Sequence, residues 1–141
     1  MLLTKDKIYL KANLVNKDQI FNFVFNVFYQ SNCVSKEYLA SIKARDAEAS
    51  VALGNYLFLV HAQFSGLKYV KQDSVIFIEL KDTIIIDNQK VKFVVALALK
   101  SNQQMDLMSK VALAFFDQEK LEKLINNDNL TKEAIIEFLD L

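Results

Sequence analysis

Residues 75–99, VIFIELKDTIIIDNQKVKFVVALAL, contain three short apolar runs in which β-branched and aromatic side chains predominate. Side chains of these types favour β-strands. The predicted strands are Val75–Leu80, Thr83–Asp87 and Val91–Leu99. Residues 87–90, Asp-Asn-Gln-Lys, have the composition of a turn, so the last two strands are expected to form a hairpin. Polar residues are absent from Phe93 to Leu99, which is typical of a central strand covered on both faces.

The residues before this stretch predict further strands and helices. Apolar side chains in residues 20–28 recur with the period of an α-helix, which indicates a helix with one buried face. Asn16 is in position to cap this helix, with Gln19 at the third position after it. A second helix is expected to begin at Ser35, as its N-cap, and to end within residues 45–48. Two more strands are predicted at Val51–Leu53 and Tyr56–Ala62.

Helical periodicity returns after Lys100 and continues to the end of the sequence. One helix, which Asn102 could cap, has on one side Met105, Met108, Val111, Ala112 and Phe115. The next two helices are marked by Leu121, Leu124 and Ile125, and by Ile135, Phe138 and Leu139 after a Thr131 cap. The sequence has no linker and no repeat, so it predicts one α/β domain over residues 1–141. Helices on both faces of its sheet make a three-layer α/β/α sandwich.

Charge and residue counts exclude several classes of function. The 17 Lys and Arg residues balance the 17 Asp and Glu residues, and they do not form the cationic cluster that nucleic acid requires. One Cys and one His are too few for a zinc site, and no metal or cofactor is expected. Polar residues interrupt the longest uncharged stretch, residues 49–67, and charges near Met1 exclude a signal peptide. A cytoplasmic protein without membrane insertion is therefore expected.

Several conspicuous residues have a structural explanation. The phenylalanines of the first helix, Met105 and Met108 are interpreted as core residues, because apolar side chains at helical spacing are normally buried. Cys33 lies near the end of an apolar helix. A buried, inert thiol is favoured there over a nucleophile that pairs with His61.

His61 and Arg45 are the only histidine and the only arginine of the chain. His61 can be a core residue whose ring nitrogens are hydrogen-bonded, or it can be a functional group. Its position favours the functional interpretation. It ends a predicted apolar strand, where α/β sheets usually bind ligands, and the two glycines, Gly54 and Gly66, lie on either side of it. A neutral imidazole is a nucleophile and a guanidinium matches phosphate oxygens. The pair therefore suits phosphoryl transfer through a phosphohistidine.

Residues 45–61, RDAEASVALGNYLFLVH, resemble the active-site region of a known family. The family is the enzyme IIA components of the phosphoenolpyruvate-dependent sugar phosphotransferase system, mannitol/fructose type. Its members have an arginine, then an Ile/Leu-Gly-Asn/Glu turn, then an apolar strand that ends in Pro-His-Gly. Leu53-Gly54-Asn55 corresponds to the turn, in the form closer to the mannitol type, and Arg45 precedes His61 by 61 − 45 = 16 residues, as in the family. The second helix, the strand Val91–Leu99 and the C-terminal helices extend the resemblance over nearly the whole chain.

The resemblance implies a mixed sheet and a role for each matched residue. His61 would accept a phosphoryl group from the histidine-containing phosphocarrier protein and pass it to an enzyme IIB, while Arg45 would bind the phosphoryl oxygens. Gly54 and Asn55 would form the turn that aligns the strand at the site. The family's second active-site histidine aligns with Gln104, whose amide can donate a hydrogen bond but cannot carry a positive charge.

Two further differences from the family pattern leave alternatives open. Val60 and Ala62 replace the proline and the glycine that flank the family's histidine. The leading expectation is a phosphocarrier for mannitol- or fructose-type sugar uptake. The alternatives are a regulatory protein of the nitrogen-related enzyme IIA type, which binds partners according to its phosphorylation state, and a degenerate homologue that takes no phosphate. Donor and acceptor must reach the same imidazole, so Phe64 and Met105 are expected at an apolar rim around His61.

Overall fold

The computed structural model describes residues 2–100 and 103–141, and a five-stranded sheet lies at its centre. The strands are β1 (Ile8–Ala12), β2 (Ala52–Gly54), β3 (Tyr56–Val60), β4 (Ser74–Ile86) and β5 (Gln89–Ala98). Their order across the sheet is β1-β4-β5-β3-β2. The pairs β1–β4 and β3–β5 are parallel, whereas β4–β5 and β2–β3 are antiparallel. The sheet is therefore mixed, as the family resemblance implied.

Helices cover both faces of this sheet. They are α1 (Lys17–Gln30), α2 (Tyr38–Glu48), α3 (Gln103–Phe116), α4 (Gln118–Ile125) and α5 (Lys132–Leu139). Alternate residues of β5 enter different cores. Val94 and Ala96 pack with α1 and α2, whereas Phe93 and Val95 pack with α3, α4 and α5. Burial on both sides explains the unbroken apolar sequence of β5 and confirms the three-layer prediction.

The hairpin between β4 and β5 has the predicted turn. Ile86 pairs with Gln89, which leaves Asp87 and Asn88 as a two-residue loop. Both loop residues have left-handed backbone conformations, with φ of 50° and 65°. Asp and Asn tolerate this region better than other non-glycine residues, and this loop geometry matches the twist of the flanking strands.

Two predicted helix caps are confirmed. The Asn16 side chain accepts a hydrogen bond from the backbone N–H of Gln19 at 2.9 Å, and Gln19 Oε1 in turn accepts one from the backbone N–H of Val15. Thr131 Oγ1 accepts a hydrogen bond from the backbone N–H of Ala134 at 3.1 Å, at the start of α5. Each cap satisfies a backbone donor that the first helical turn leaves unpaired.

The cap predicted at Ser35 is wrong, because α2 begins three residues later, at Tyr38, with Glu37 as its N-cap. Ser35 instead belongs to a segment that pairs with residues 69–70. Its backbone N–H donates to the Tyr69 carbonyl at 2.9 Å, and Val34 forms a β-bridge with Val70. Ser35 therefore ends this paired segment, and its carbonyl accepts a hydrogen bond from the Tyr38 N–H at 3.1 Å in the turn before α2. The cap predicted at Asn102 lies outside the described residues.

Three other predictions about elements need correction. β1 has no counterpart among the predicted strands. The predicted strands Val75–Leu80 and Thr83–Asp87 are parts of the single strand β4, except that Asp87 lies in the hairpin loop, and the pairing of β4 is irregular between Glu79 and Ile84. Met105 is 69% exposed instead of buried in the core, whereas its neighbour Gln104 in the same turn of α3 is buried. Among the described residues, no helix is both long and apolar enough to cross a membrane.

Candidate active site

His61 directly follows β3, at the end of the sheet where the parallel strands β3 and β5 finish. Val60, the last residue of β3, pairs with Ala96 of β5. Chain segments that leave the carboxyl ends of parallel strands line the usual ligand crevice of α/β sheets. The side chain of His61 is 5% exposed, so the sheet and the loops around it hold the imidazole in a restricted position.

The hydrogen bond at Nδ1 assigns the two nitrogens of the ring. Nδ1 lies 2.9 Å from the backbone carbonyl oxygen of Leu59. A carbonyl oxygen can only accept, so Nδ1 carries the proton and donates it. In the neutral ring Nε2 is then unprotonated and holds the lone pair. The nitrogen of His61 that has a lone pair available to a ligand or reactant is therefore Nε2.

The surroundings of His61 favour its neutral form. Burial lowers the pKa of the imidazole below its ordinary value of 6.5, and the positive charge of Arg45 lowers it further. The hydrogen bond to Leu59 acts in the opposite direction, but it does not offset the burial. At neutral pH the ring is consequently an uncharged nucleophile.

Arg45 lies in the last turn of α2, and its guanidinium is fixed by the end of the same helix. Nη1 donates a hydrogen bond to the carbonyl oxygen of Ala49, the C-cap residue, at 3.0 Å. Arg45 and His61 line a common open cavity of about 850 Å³. The other lining residues are Glu48, Ala62, Gln63, Phe64, Ser65, Leu67, Gln104, Met105 and Met108. The structure thus brings together the single arginine and the single histidine.

Gln104 reaches the same cavity from the first turn of α3. Its Nε2 donates a hydrogen bond to the carbonyl of Ala62 at 3.3 Å, which ties α3 to the residue after His61. Its Oε1 is buried and has no hydrogen-bond partner among the described residues. The amino end of α3 adjoins the cavity as well, and such a helix end carries partial positive charge. The helix end favours an anion, whereas Gln104 Oε1 can only accept a hydrogen bond.

The rim of the cavity is apolar and exposed. Phe64 is 80% exposed and Met105 is 69% exposed, and both line the cavity mouth. Large apolar side chains with this exposure are typical of surfaces that contact another protein. A polar contact lies beside them, because Gln63 Nε2 donates to Glu48 Oε1.

Gly54 and Asn55, which were expected to support the site, lie outside the cavity lining. They form the turn before β3, whereas His61 follows its last residue, roughly 20 Å away at the usual rise of a strand. The turn is tight, since Gly54, Asn55 and Tyr56 have φ of 85°, 52° and 65°. Asn55 Oδ1 accepts a hydrogen bond from Gln118 Nε2 at 3.2 Å. These residues align β3 from its far end instead of acting at the site.

Two contributions to the site were missed in the sequence. The Leu59 carbonyl selects the tautomer of His61, but every residue has a carbonyl, so no sequence signal marks it. Glu48 also lines the cavity. Its place three residues after Arg45, on the same face of α2, is the signal that could have identified it.

The chain matches proteins of one family over nearly its full length. Residues 1–140 match the family described as phosphoenolpyruvate-dependent sugar phosphotransferase system, EIIA 2. The mannitol-specific phosphotransferase enzyme IIA component of Mycoplasma pneumoniae is 44% identical over 139 residues, which cover 99% of this chain and 97% of that protein. The protein of the same description from Geobacillus stearothermophilus is 25% identical over 140 residues, with coverage of 99% and 95%.

Solved structures share the fold at lower sequence identity. The crystal structure of IIA mannitol from Escherichia coli aligns with a TM-score of 0.82 at 17% identity and covers 97% of this chain and 98% of that one. In a complex of the Escherichia coli enzyme IIA with phosphorylated enzyme IIB for mannitol, the matching chain has a TM-score of 0.84 at 16% identity, with coverage of 98% and 96%. The nitrogen regulatory protein IIA-Ntr from Neisseria meningitidis has a TM-score of 0.78 at 20% identity, also with coverage of 98% and 96%. The fold agrees with the sequence match, and the chain belongs to the EIIA 2 family of the phosphoenolpyruvate-dependent sugar phosphotransferase system.

Proposed function

We propose that this chain is a mannitol-type IIA phosphocarrier. In this role His61 takes a phosphoryl group from the histidine-containing phosphocarrier protein and passes it to an enzyme IIB. The observation that carries the proposal is the hydrogen bond from Nδ1 to the Leu59 carbonyl, which leaves Nε2 as a free nucleophile in a cavity shared with Arg45. The relationship to the mannitol-specific component of Mycoplasma pneumoniae, over 99% of this chain, supports the sugar class.

Phosphoryl transfer requires one bond to form and one to break at phosphorus. The lone pair of His61 Nε2 attacks the phosphorus of the donor's phosphohistidine, and the electron pair of the broken N–P bond returns to the donor nitrogen. The proton on Nδ1 stays in place, and the Leu59 carbonyl stabilises the positive charge that the ring acquires. In the second transfer, a cysteine or histidine of the enzyme IIB attacks phosphorus. The electron pair then returns to Nε2 and regenerates the neutral ring.

Charge stabilisation of the transferring group falls mainly to Arg45. Its planar guanidinium can donate two parallel hydrogen bonds to phosphoryl oxygens, and it is fixed close to where they would lie. The amino end of α3 adds a favourable dipole, and the Gln104 amide adds a neutral donor once it leaves the long hydrogen bond to Ala62. Preorganised donors of this kind account for most of the catalysis in phosphoryl transfer.

Labelling with phosphoenolpyruvate, enzyme I and the phosphocarrier protein tests this function. Wild-type protein should gain one phosphoryl group, and the His61→Ala variant should gain none. Cys33→Ser is the matched control, because Cys33 is the other nucleophile considered and is buried away from the cavity, so this variant should be labelled normally. Phosphorus NMR should show the phosphoryl group on Nε2. Labelling of His61→Ala contradicts the acceptor role, and a phosphoryl group on Nδ1 contradicts the tautomer.

The second transfer separates the carrier from its alternatives. Phosphorylated protein mixed with a mannitol-type enzyme IIB should lose its phosphoryl group to that partner within a single turnover. Protein that accepts phosphate but fails to pass it on would favour the regulatory alternative. Protein that accepts no phosphate at all would be the degenerate homologue.

A further inference from the structure

The chain segment after β3 builds most of the cavity wall. Six of the eleven lining residues belong to it: His61, Ala62, Gln63, Phe64, Ser65 and Leu67. The segment folds into a short 3₁₀ turn, Phe64–Tyr69, and the backbone N–H of Gly66 closes its start by donating to the Gln63 carbonyl at 2.8 Å. The position of this turn therefore sets the position of one whole side of the site.

Gly66 is the point at which this turn touches α2. A Cβ built on Gly66 would lie 1.9 Å from Ser41 Oγ and 2.7 Å from Ser41 Cβ, and 3.2 Å from the Cβ of Ala62. The first two distances are far below van der Waals contact. Gly66 does not have the left-handed backbone that Gly54 has. Glycine is required here by the close approach of the two segments, and not by backbone conformation.

The partner in this contact lies on the same face of α2 as Arg45. Ser41 and Arg45 are four residues apart in the helix, so their side chains are neighbours along that face. Ser41 Oγ is buried and has no hydrogen-bond partner among the described residues, so the contact acts through size and not through a hydrogen bond. One face of α2 thus carries both the guanidinium and the surface on which the His61 segment rests.

We propose that the contact between Gly66 and Ser41 sets the separation between His61 and Arg45, which makes both small residues positioning residues of phosphoryl transfer. The inference rests on the proposed function of His61. Any larger side chain at either position lifts the 3₁₀ turn from α2 and carries the imidazole away from the guanidinium. Displacements of about 1 Å between reacting groups can lower a rate by roughly a hundredfold.

Single and double substitutions at positions 41 and 66 test the contact directly. Gly66→Ala should lower the maximal rate of His61 phosphorylation by about tenfold or more. The double variant Ser41→Gly/Gly66→Ala should recover to within about threefold of wild type, because it removes the two Ser41 atoms that clash and leaves only the milder 3.2 Å contact with Ala62 Cβ. Ser41→Ala/Gly66→Ala is the matched control and should stay slow, since the Cβ at position 41 remains. Equal recovery by both double variants, or a normal rate in Gly66→Ala, overturns the proposal.

A double-mutant cycle with Arg45 separates positioning from a general loss of stability. In an Arg45→Ala background the guanidinium is absent, so its distance from His61 no longer affects the rate. In the Arg45→Ala background we therefore expect Gly66→Ala to lower the phosphorylation rate by less than about twofold. If Gly66→Ala lowers the phosphorylation rate by the same factor in both backgrounds, Gly66 does not act through Arg45 and the proposal is overturned.

A titration of the His61 ring by NMR gives a readout that needs no phosphoryl transfer. Arg45 and Glu48 are the charged residues that line the cavity within the described part of the chain. Gly66→Ala should raise the pKa of His61 towards its ordinary value, because the ring becomes less buried and moves away from Arg45, and Ser41→Gly/Gly66→Ala should lower it again. If wild type takes no phosphate, the proposed function fails. An unchanged pKa in Gly66→Ala overturns the positioning role.

Discussion

At the scale of single residues, a backbone carbonyl determines which nitrogen of His61 keeps a lone pair. The sequence identified His61 and Arg45 because each is the single residue of its type and both carry the chemistry of phosphoryl groups. It could not identify the tautomer, which depends on the 2.9 Å contact with Leu59 and hence on how the chain turns after β3. Composition therefore proposes the candidate side chains, and the hydrogen bond to Leu59 proposes the atom of His61 that would react.

The lowered pKa of His61 predicts how phosphorylation depends on pH. In the proposed transfer the neutral ring is the nucleophile, so the rate should rise with pH to a plateau, with a midpoint below 6.5. The free energy of unfolding should also fall as the pH falls. The unfolded chain binds a proton near pH 6.5 before the folded chain does, so stability is complete above that pH and is lost as the pH falls towards the lower pKa of the folded state.

Rate profiles and thermal melts across this range check the prediction. His61→Gln has no ring to titrate, so it should not show the loss of stability between pH 6.5 and the folded pKa. A midpoint above pH 6.5 in the wild-type rate profile would contradict the account.

Replacing Arg45 with lysine tests the need for a planar donor. Lysine keeps the charge but presents it as a single point, so Arg45→Lys should lower the rate of phosphoryl transfer by about tenfold, or ~1.4 kcal/mol. Rapid-quench measurement of His61 labelling gives the rate. Lys43→Arg is the control on the same helix, because Lys43 is exposed and outside the cavity lining, and it should transfer at the wild-type rate. Equal rates for Arg45→Lys and wild type would remove the guanidinium from the mechanism.

At the scale of elements, the sequence predicted what depends on local chemistry and missed what depends on tertiary pairing. The caps at Asn16 and Thr131 and the hairpin at residues 87–88 depend on side chains next to the backbone they serve, and they were predicted correctly. β1 was missed because its apolar run, Ile8 to Leu10, is only three residues long and lies between Lys7 and Lys11. The start of α2 was misplaced because Ser35 pairs with Tyr69, far away in sequence.

The turn before β3 predicts a cost for any side chain at Gly54. Its φ of 85° is unfavourable for residues with a Cβ, so Gly54→Ala should lower the free energy of unfolding by about 1–2 kcal/mol. A Cβ there would meet Gln89 Oε1 at an ordinary 3.6 Å, so the cost comes from backbone conformation and not from a clash. Gly54→Asn should lower the free energy of unfolding by less, because asparagine tolerates the left-handed backbone conformation better than alanine does. Urea unfolding measures both, and equal losses would contradict the backbone explanation.

At the scale of the whole molecule, the proposed function requires successive partners to share one open cavity. His61 lies at one end of the sheet, and the exposed Phe64 and Met105 lie beside it on the segment after β3 and on α3. A donor and an acceptor that need the same nitrogen cannot both be bound productively. Their surfaces must therefore overlap on this rim, and each complex must dissociate quickly for transfer to proceed.

A change at the rim should weaken the binding of partners. Phe64→Ala should raise the donor concentration that gives half-maximal labelling by about three- to tenfold, since it removes a large apolar contact of roughly 1 kcal/mol. This effect should exceed any fall in the maximal rate. Ile85→Ala is the matched control, because Ile85 is 64% exposed but lies on β4 next to the hairpin, away from the cavity. Equal effects of the two variants would show that the rim has no special part in docking.

The order of strands in the sheet has a consequence for how the chain acquires its structure during synthesis. β4 and β5 are joined by a two-residue turn and can pair as soon as both have emerged from the ribosome. β1 must wait, because Ile8 pairs with Phe77, which is made 77 − 8 = 69 residues later. Such distant pairings are slow to form, and the earlier strand has no partner during the interval. We expect a nascent chain that stops before β4 to be digested readily by protease within β1, and one that includes β5 to resist digestion there.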